Sequence, residues 1–455
     1  MLSNEQTFDE LVNEWLTRTK EMIARNEEVT ESEDIRGIPF PDLLKRGEKP
    51  PFEMRRVDVR EVQNMAGTLG DKNPLYWDPE YGAKTRYRSM IAPPTIVMHI
   101  RHATLHGAQR KGAMYPIANY FSGVLWNWFD VIRPNTRVFS ESKYAEIVEK
   151  KGKVAGRMFI MCSNGRLWDQ QKNLFCTIRG HIVMVPMPSR TDTENVGGNM
   201  LYERPPHAYK PEDIEKIAHD IDSEVRRGAE TRYWEDVAVG DKLPGVVKGP
   251  FTEQDQATNA RGTFEMDYWD SRYSETMMTG GGARLHPVTK WPWSPAAEHE
   301  DYLLCRYRGL PGPFDAGAQR CCYTEHLLLN WGGDDAFYRR GYFEVRYPKY
   351  STDTTWFNGE VVRKYKVTET GEKGTEGWEA GGVKGEATYC GVDIKVAGVN
   401  QVGEKNFQGI ATLYLPSKET GAVKLPIPHP PKPEYMPFPQ FSKDVPDYRK
   451  IPSTV

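Results

Sequence analysis

Residues Leu69 to Asp78 read L-G-D-K-N-P-L-Y-W-D, and the chain continues from Pro79 to Thr95 as P-E-Y-G-A-K-T-R-Y-R-S-M-I-A-P-P-T. Asn73-Pro74 is a turn signal, because a residue before proline is pushed out of the helical region and proline fixes its own φ. The turn predicts that Asp71 and Tyr76 stand on two limbs of one tight loop, close enough to share a water or a substrate atom. Loops carried on a rigid scaffold are where chemistry concentrates.

Working outward, 455 residues with 38% hydrophobic content and a mean hydropathy of -0.66 exceed one compact core and predict two domains with insertions. A net charge of -3 argues against a nucleic-acid binder, which carries a basic excess. No run approaches the eighteen or so apolar residues of a membrane span. The start of the chain is acidic and helical in pattern, with Phe8, Leu11, Val12 and Trp15 on one stripe, and it lacks the basic region and apolar core of a signal peptide. Six cysteines without a C-x-x-C pair point to a reducing compartment, with the cytoplasm as the expectation, and Cys321-Cys322 read as small buried residues.

Composition divides the chain into an N-terminal domain with its leading helix (1–190), a linker containing a helix (191–230), a C-terminal domain (231–424) and a proline-rich arm (425–455). Pro211, followed by Glu212 and Asp213, predicts a helix start, and Gly228 its stop after Arg227. The arm is too proline-dense for helix or central strand and reads as an extended segment over a partner subunit or as a disordered tail. The halves echo each other. Arg86-Tyr87-Arg88 and Arg306-Tyr307-Arg308 each precede a proline-rich turn, and W-F-D-V-I-R-P at 128–134 matches Y-F-E-V-R-Y-P at 342–348, an order that suggests duplication. Strand-like runs follow in each half, with Cys176, Ile178, Ile182 and Met184 on alternate positions.

The loop resembles the hydratase signature G-D-x-N-P-[L/V]-H-x-D of MaoC-like enoyl-thioester hydratases and dehydratases. The resemblance implies an α+β class and a tandem double hotdog, each half a long central helix wrapped by an antiparallel sheet. Asp71 matches the family aspartate and Asn73-Pro74 its turn, while Tyr76 stands where the family has a histidine. A fused pair of this kind places its substrate at the interface of the halves. The second half has no D-x-N-P; His286 in G-G-G-A-R-L-H-P and His299 in H-E-D-Y compete for the missing histidine's place, with His299 favoured by its spacing to G-L-P-G-P. The resemblance also implies backbone N–H donors for a thioester oxygen at the start of a central helix, here Ala92 to Thr95, around Pro93, or Gly312 to Gly317. His99, His102 and His106 fall at helical spacing and read as packing residues rather than a metal site.

Signatures for nicotinamide, nucleotide, serine-hydrolase and zincin chemistry are missing from the sequence. The expectation is therefore a cofactor-independent lyase that hydrates a 2-enoyl-coenzyme A, coenzyme A being part of the substrate. Asp71, His299 and His286 are its catalytic candidates, and Asn73, Tyr76, Pro93, Gly312 and Gly317 its binding candidates. A thioesterase and a non-catalytic acyl-binding or scaffold subunit are the alternatives. A homodimer is expected, with no nucleic-acid or membrane partner.

Overall fold

The computed structural model describes residues 6–25, 28–29, 55–100, 107–108, 115–152, 156–186, 204–256, 258, 284–285, 288, 292–293, 299, 301–307, 310–374 and 382–431. His102, His106, His286 and the arm beyond residue 431 lie outside them.

The strands of the first lobe are β1 (Glu28–Val29), β2 (Arg55–Val57), β3 (Ile117–Trp128), β4 (Thr136–Gly152), β5 (Gly156–Asp169) and β6 (Leu174–Pro186). In the second lobe come β7 (Lys242–Lys248), a separate two-stranded pair β8 (Arg284–Leu285) and β9 (Pro292–Trp293), then β10 (Phe337–Val345), β11 (Thr355–Gly371), β12 (Gly385–Asn400) and β13 (Lys405–Leu415). Eleven strands form one sheet in the order β1-β4-β5-β6-β3-β10-β13-β12-β11-β7, with β2 also pairing β4. From the antiparallel β3–β10 junction outward, the two halves repeat the same order of long strands, the arrangement of a double hotdog. Gly123 makes that junction possible, since a Cβ there would stand 2.3 Å from the Phe343 carbonyl oxygen.

Helices complete both lobes. They are α1 (Phe8–Ala24), α2 (Val59–Leu69), α3 (Pro74–Trp77), α4 (Pro79–Lys84), α5 (Val97–Ile100), α6 (Pro211–Asp222), α7 (Tyr302–Tyr307) and α8 (Gly317–Gly332). Of the expected apolar stripe of α1, Leu11, Val12 and Trp15 are buried, Trp15 against Phe159, and Phe8 is half-buried; a Thr7–Glu10 capping box starts the helix. α8 is the central helix of the second lobe and is buried on every face, so its polar residues are enclosed along with its apolar ones. Cys321 and Cys322 are among them, buried as small residues.

Two sequence expectations need correction. α6 ends at Asp222, not at Arg227, because Glu224 turns away to accept the Val247 N–H (3.0 Å). The arm's first residues lie on their own chain: Ile427 is fully buried and its N–H donates to the Phe129 carbonyl (2.7 Å). The alternation of β6 separates by polarity rather than burial, with Cys176, Ile178, Ile182 and Met184 on one buried face and Thr177, Arg179 and His181 on the other. No helix of the described residues is long and apolar enough to cross a membrane.

Candidate active site at the seam of the lobes

The loop at 70–78 is built by local chemistry. α2 ends at Gly70 in the left-handed conformation (φ 67°), which favours glycine, and the chain turns into α3 with Asn73 as its cap and Pro74 in its first turn. The Asn73 N–H donates to Asp71 Oδ1 (2.8 Å), Asn73 Oδ1 accepts the Leu75 N–H (3.0 Å), and the Trp77 indole donates to the Asp71 carbonyl (2.7 Å). Asp71 and Tyr76 thus stand on neighbouring limbs of one turn, 2% and 1% exposed.

The second lobe clasps this loop through Asp334, just beyond α8. Its carboxylate accepts from Asn73 Nδ2 (2.8 Å) and the Tyr81 hydroxyl (2.5 Å), and its carbonyl from the Tyr87 hydroxyl (3.0 Å). The Asn73 side chain is therefore part of the clasp.

Around Asp71 lies a set of buried ionisable groups. Lys248, at the end of β7, donates to the Leu69 carbonyl at the end of α2 (2.7 Å) and meets His326 Nδ1 at 2.5 Å. His326 Nε2 faces Glu224 at 3.5 Å. Burial pushes the Asp71 carboxyl up to about 6, against the Asn73 N–H and the charges of Lys248 and Arg226, which pull it down. Burial brings Lys248 down to about 8 and, with the Lys248 charge beside it, holds the His326 ring well below its ordinary range. Next to His326 on α8, Glu325 is fully buried; its Oε2 accepts both the Thr95 N–H and the Thr95 hydroxyl at 2.7 Å each, and burial pushes it up to about 8. The Tyr76 phenol, buried near Glu325, Asp71 and Asp334, is held well above its ordinary range and stays protonated. A carboxylate that ionises near neutrality, beside a neutral carboxyl and a buried ammonium, can exchange a proton with a bound water.

A cavity of about 30 Å³ adjoins the loop, lined by Tyr76, Pro94, Trp128, Leu329 and Tyr338 among others, and it has room for bound water.

Residues 51–178, which include this loop, match the family described as FAS1-like, dehydratase domain region. The N-terminal lobe is similar to that dehydratase region over this span. A UPF0336 protein of Thermobifida fusca is 36% identical over 75 residues, 16% of this chain and 45% of that protein, so the chain spans less than half the length of this curated relative. Among solved structures, a MaoC-like dehydratase superposes with a TM-score of 0.48 at 14% identity, covering 80% of this chain and 95% of that one. A Mycobacterium tuberculosis protein described as having a double hotdog fold superposes with a TM-score of 0.44 at 12% identity, covering 79% and 92%.

The structure does not gather all the sequence candidates around the loop at 70–78. The His299 Nδ1–H donates to the Phe314 carbonyl (2.7 Å) and the ring rests on the Phe314 ring, before the amino-terminal end of α8. Glu325 and His326 lie on the second half of that helix, about 12 Å further along at 1.5 Å per residue. Gly312 backs on to the Tyr302 ring and Gly317 on to Phe121 and Val345, at the same end as His299. Pro93 is buried ahead of the first turn of the N-terminal lobe's helix. His286 lies outside the described residues. Glu325, His326 and Lys248 belong to no motif of the sequence; the adjacent Glu-His pair of α8 is ordinary in sequence, and only the burial of that helix singles it out.

Proposed function

We propose that the protein reversibly hydrates a 2-enoyl thioester, in the first place a coenzyme A ester, and that Asp71 is the acid-base residue. What supports the reading is the burial of the Asp71 carboxyl at the seam of the lobes, in the MaoC-like loop, with a pKa near 6. The thioester makes C3 electrophilic. As the water oxygen bonds to C3, Asp71 takes a water proton, the C2=C3 electron pair shifts toward the thioester oxygen, and Asp71 returns the proton to C2. One carboxylate thus serves both half-steps, and no cofactor is needed. The Asp334 clasp fixes the loop, and Lys248 favours the ionised form of Asp71.

Incubation with crotonyl-coenzyme A tests the reading: a 3-hydroxybutyryl thioester is expected, without free thiol. Release of thiol instead establishes a thioesterase, and neither product refutes both. A second reading, a non-catalytic acyl-binding subunit, is favoured by the buried Tyr76 in place of the histidine; it predicts saturable binding of the thioester without turnover.

A further inference from the structure

Enolate chemistry on a thioester needs hydrogen-bond donors at the developing oxyanion, and the segment from Ala92 to Thr95 has none to spare. The Ala92 N–H donates to the Ile132 carbonyl (2.7 Å), Pro93 and Pro94 carry no N–H, and the Thr95 N–H is taken by Glu325. Glu325 itself presents the opposite situation. Its Oε2 receives two hydrogen bonds from Thr95, whereas its Oε1 is buried with no hydrogen-bond partner among the described residues. An oxygen that already accepts from two donors leaves the acid proton to its twin, so a neutral Glu325 carries its proton on Oε1. An unpartnered buried polar atom is costly and calls for an explanation. The residues about this carboxyl lead to the cavity: Pro94 precedes Thr95, Leu329 follows one turn along α8, and Tyr76 and Tyr338 interact with Glu325, and all four line it.

Resting on the hydratase reading above, we infer that Glu325 is the hydrogen-bond donor to the thioester oxygen: Thr95 anchors Oε2, and the Oε1–H group of the neutral carboxyl donates to the oxyanion. Thr95 polarises the acid through both its donors, so the role of a backbone N–H is handed on by one side chain. Burial and the neighbouring Asp71 charge both keep Glu325 protonated at neutral pH, as a donor requires. No bond to Glu325 is made or broken, and its proton stays on Oε1.

Glu325→Ala and Glu325→Gln test the inference together. The glutamine amide can accept from Thr95 and still donate through its NH₂ group, whereas alanine can do neither. With crotonyl-coenzyme A, Glu325→Ala is expected to lower kcat by about 10²–10³-fold, and Glu325→Gln by less than about tenfold. The carbonyl stretch of crotonyl-coenzyme A bound to Asp71→Asn, read by difference infrared spectroscopy, should lie below its solution value. It should return to that value in Asp71→Asn/Glu325→Ala but not in Asp71→Asn/Glu325→Gln. A carbonyl shift that persists in Asp71→Asn/Glu325→Ala, or near-wild-type kcat in Glu325→Ala, overturns the inference alone, as does equal inactivity of both folded variants. If Glu325→Ala does not fold, the glutamine variant still decides: a loss of its carbonyl shift overturns the donor role. A wild-type protein that neither binds nor hydrates the thioester overturns the hydratase reading and this inference with it.

Discussion

Removing the Asp334 carboxylate should loosen the loop that carries Asp71 without touching Asp71 itself. In Asp334→Ala, Asn73 Nδ2 loses a charge-assisted partner at 2.8 Å in a buried position, and the Tyr81 hydroxyl loses one at 2.5 Å. Hydrogen bonds to charged groups contribute about 1.5–3 kcal/mol each. Tyr81 is only partly buried and can recover part of its loss from water, so the expected total is about 3 kcal/mol. At about 1.4 kcal/mol per tenfold, that raises the population of locally open loop by more than a hundredfold. Hydrogen exchange followed by mass spectrometry reads this directly, with faster exchange at 69–78 and little change in β11 and β12, at the far end of the sheet from the β3–β10 junction. A double-mutant cycle with Asn73→Ala should return a coupling of about 1–2 kcal/mol. Unchanged protection at 69–78 would refute the clasp.

Other perturbations follow from the same geometry. Glu325 has a folded-state pKa raised from 4.5 to about 8, so its contribution to stability is full below 4.5 and is lost as pH rises toward 8. Glu325→Gln should therefore gain melting temperature relative to the wild type as pH rises through that window, and a pH-independent difference contradicts the burial argument. Lys248→Met strips a positive charge from beside Asp71 and leaves the Leu69 carbonyl unpartnered by lysine; the acid limb of the activity profile should move to higher pH, and an unmoved limb excludes the electrostatic coupling. Gly123→Ala places a methyl against the Phe343 carbonyl at the β3–β10 junction and should lower the melting temperature or abolish soluble expression. Sedimentation velocity checks the proposed homodimer, which a species of 52.1 kDa would contradict.

The elements legible in the sequence were those set by local chemistry. The Thr7-capped stripe of α1, the Asn73-Pro74 turn and the alternation of β6 all follow from residues a few positions apart. The N-terminal loop was legible as well, because its hydrogen bonds are internal to it. What the second lobe adds was hidden by distance. Asp334, the partner of Asn73, is 261 positions away, and no local spacing leads to His326, which lies inside an enclosed helix. Only the fold shows that α8 has no solvent face, so that a Glu-His pair that would be ordinary on an exposed helix becomes two buried titratable groups.

Acid-base chemistry by the Asp71 carboxyl on an enoyl thioester is the step from which the proposed activity follows. The most direct test compares the initial rate of crotonyl-coenzyme A hydration by the wild type and by Asp71→Asn at pH 7, where the wild-type carboxyl is mostly ionised. The asparagine preserves the size of the side chain and a carbonyl oxygen for the Asn73 N–H. A loss of turnover of about a hundredfold or more is predicted, and turnover equal to the wild type's would contradict the account.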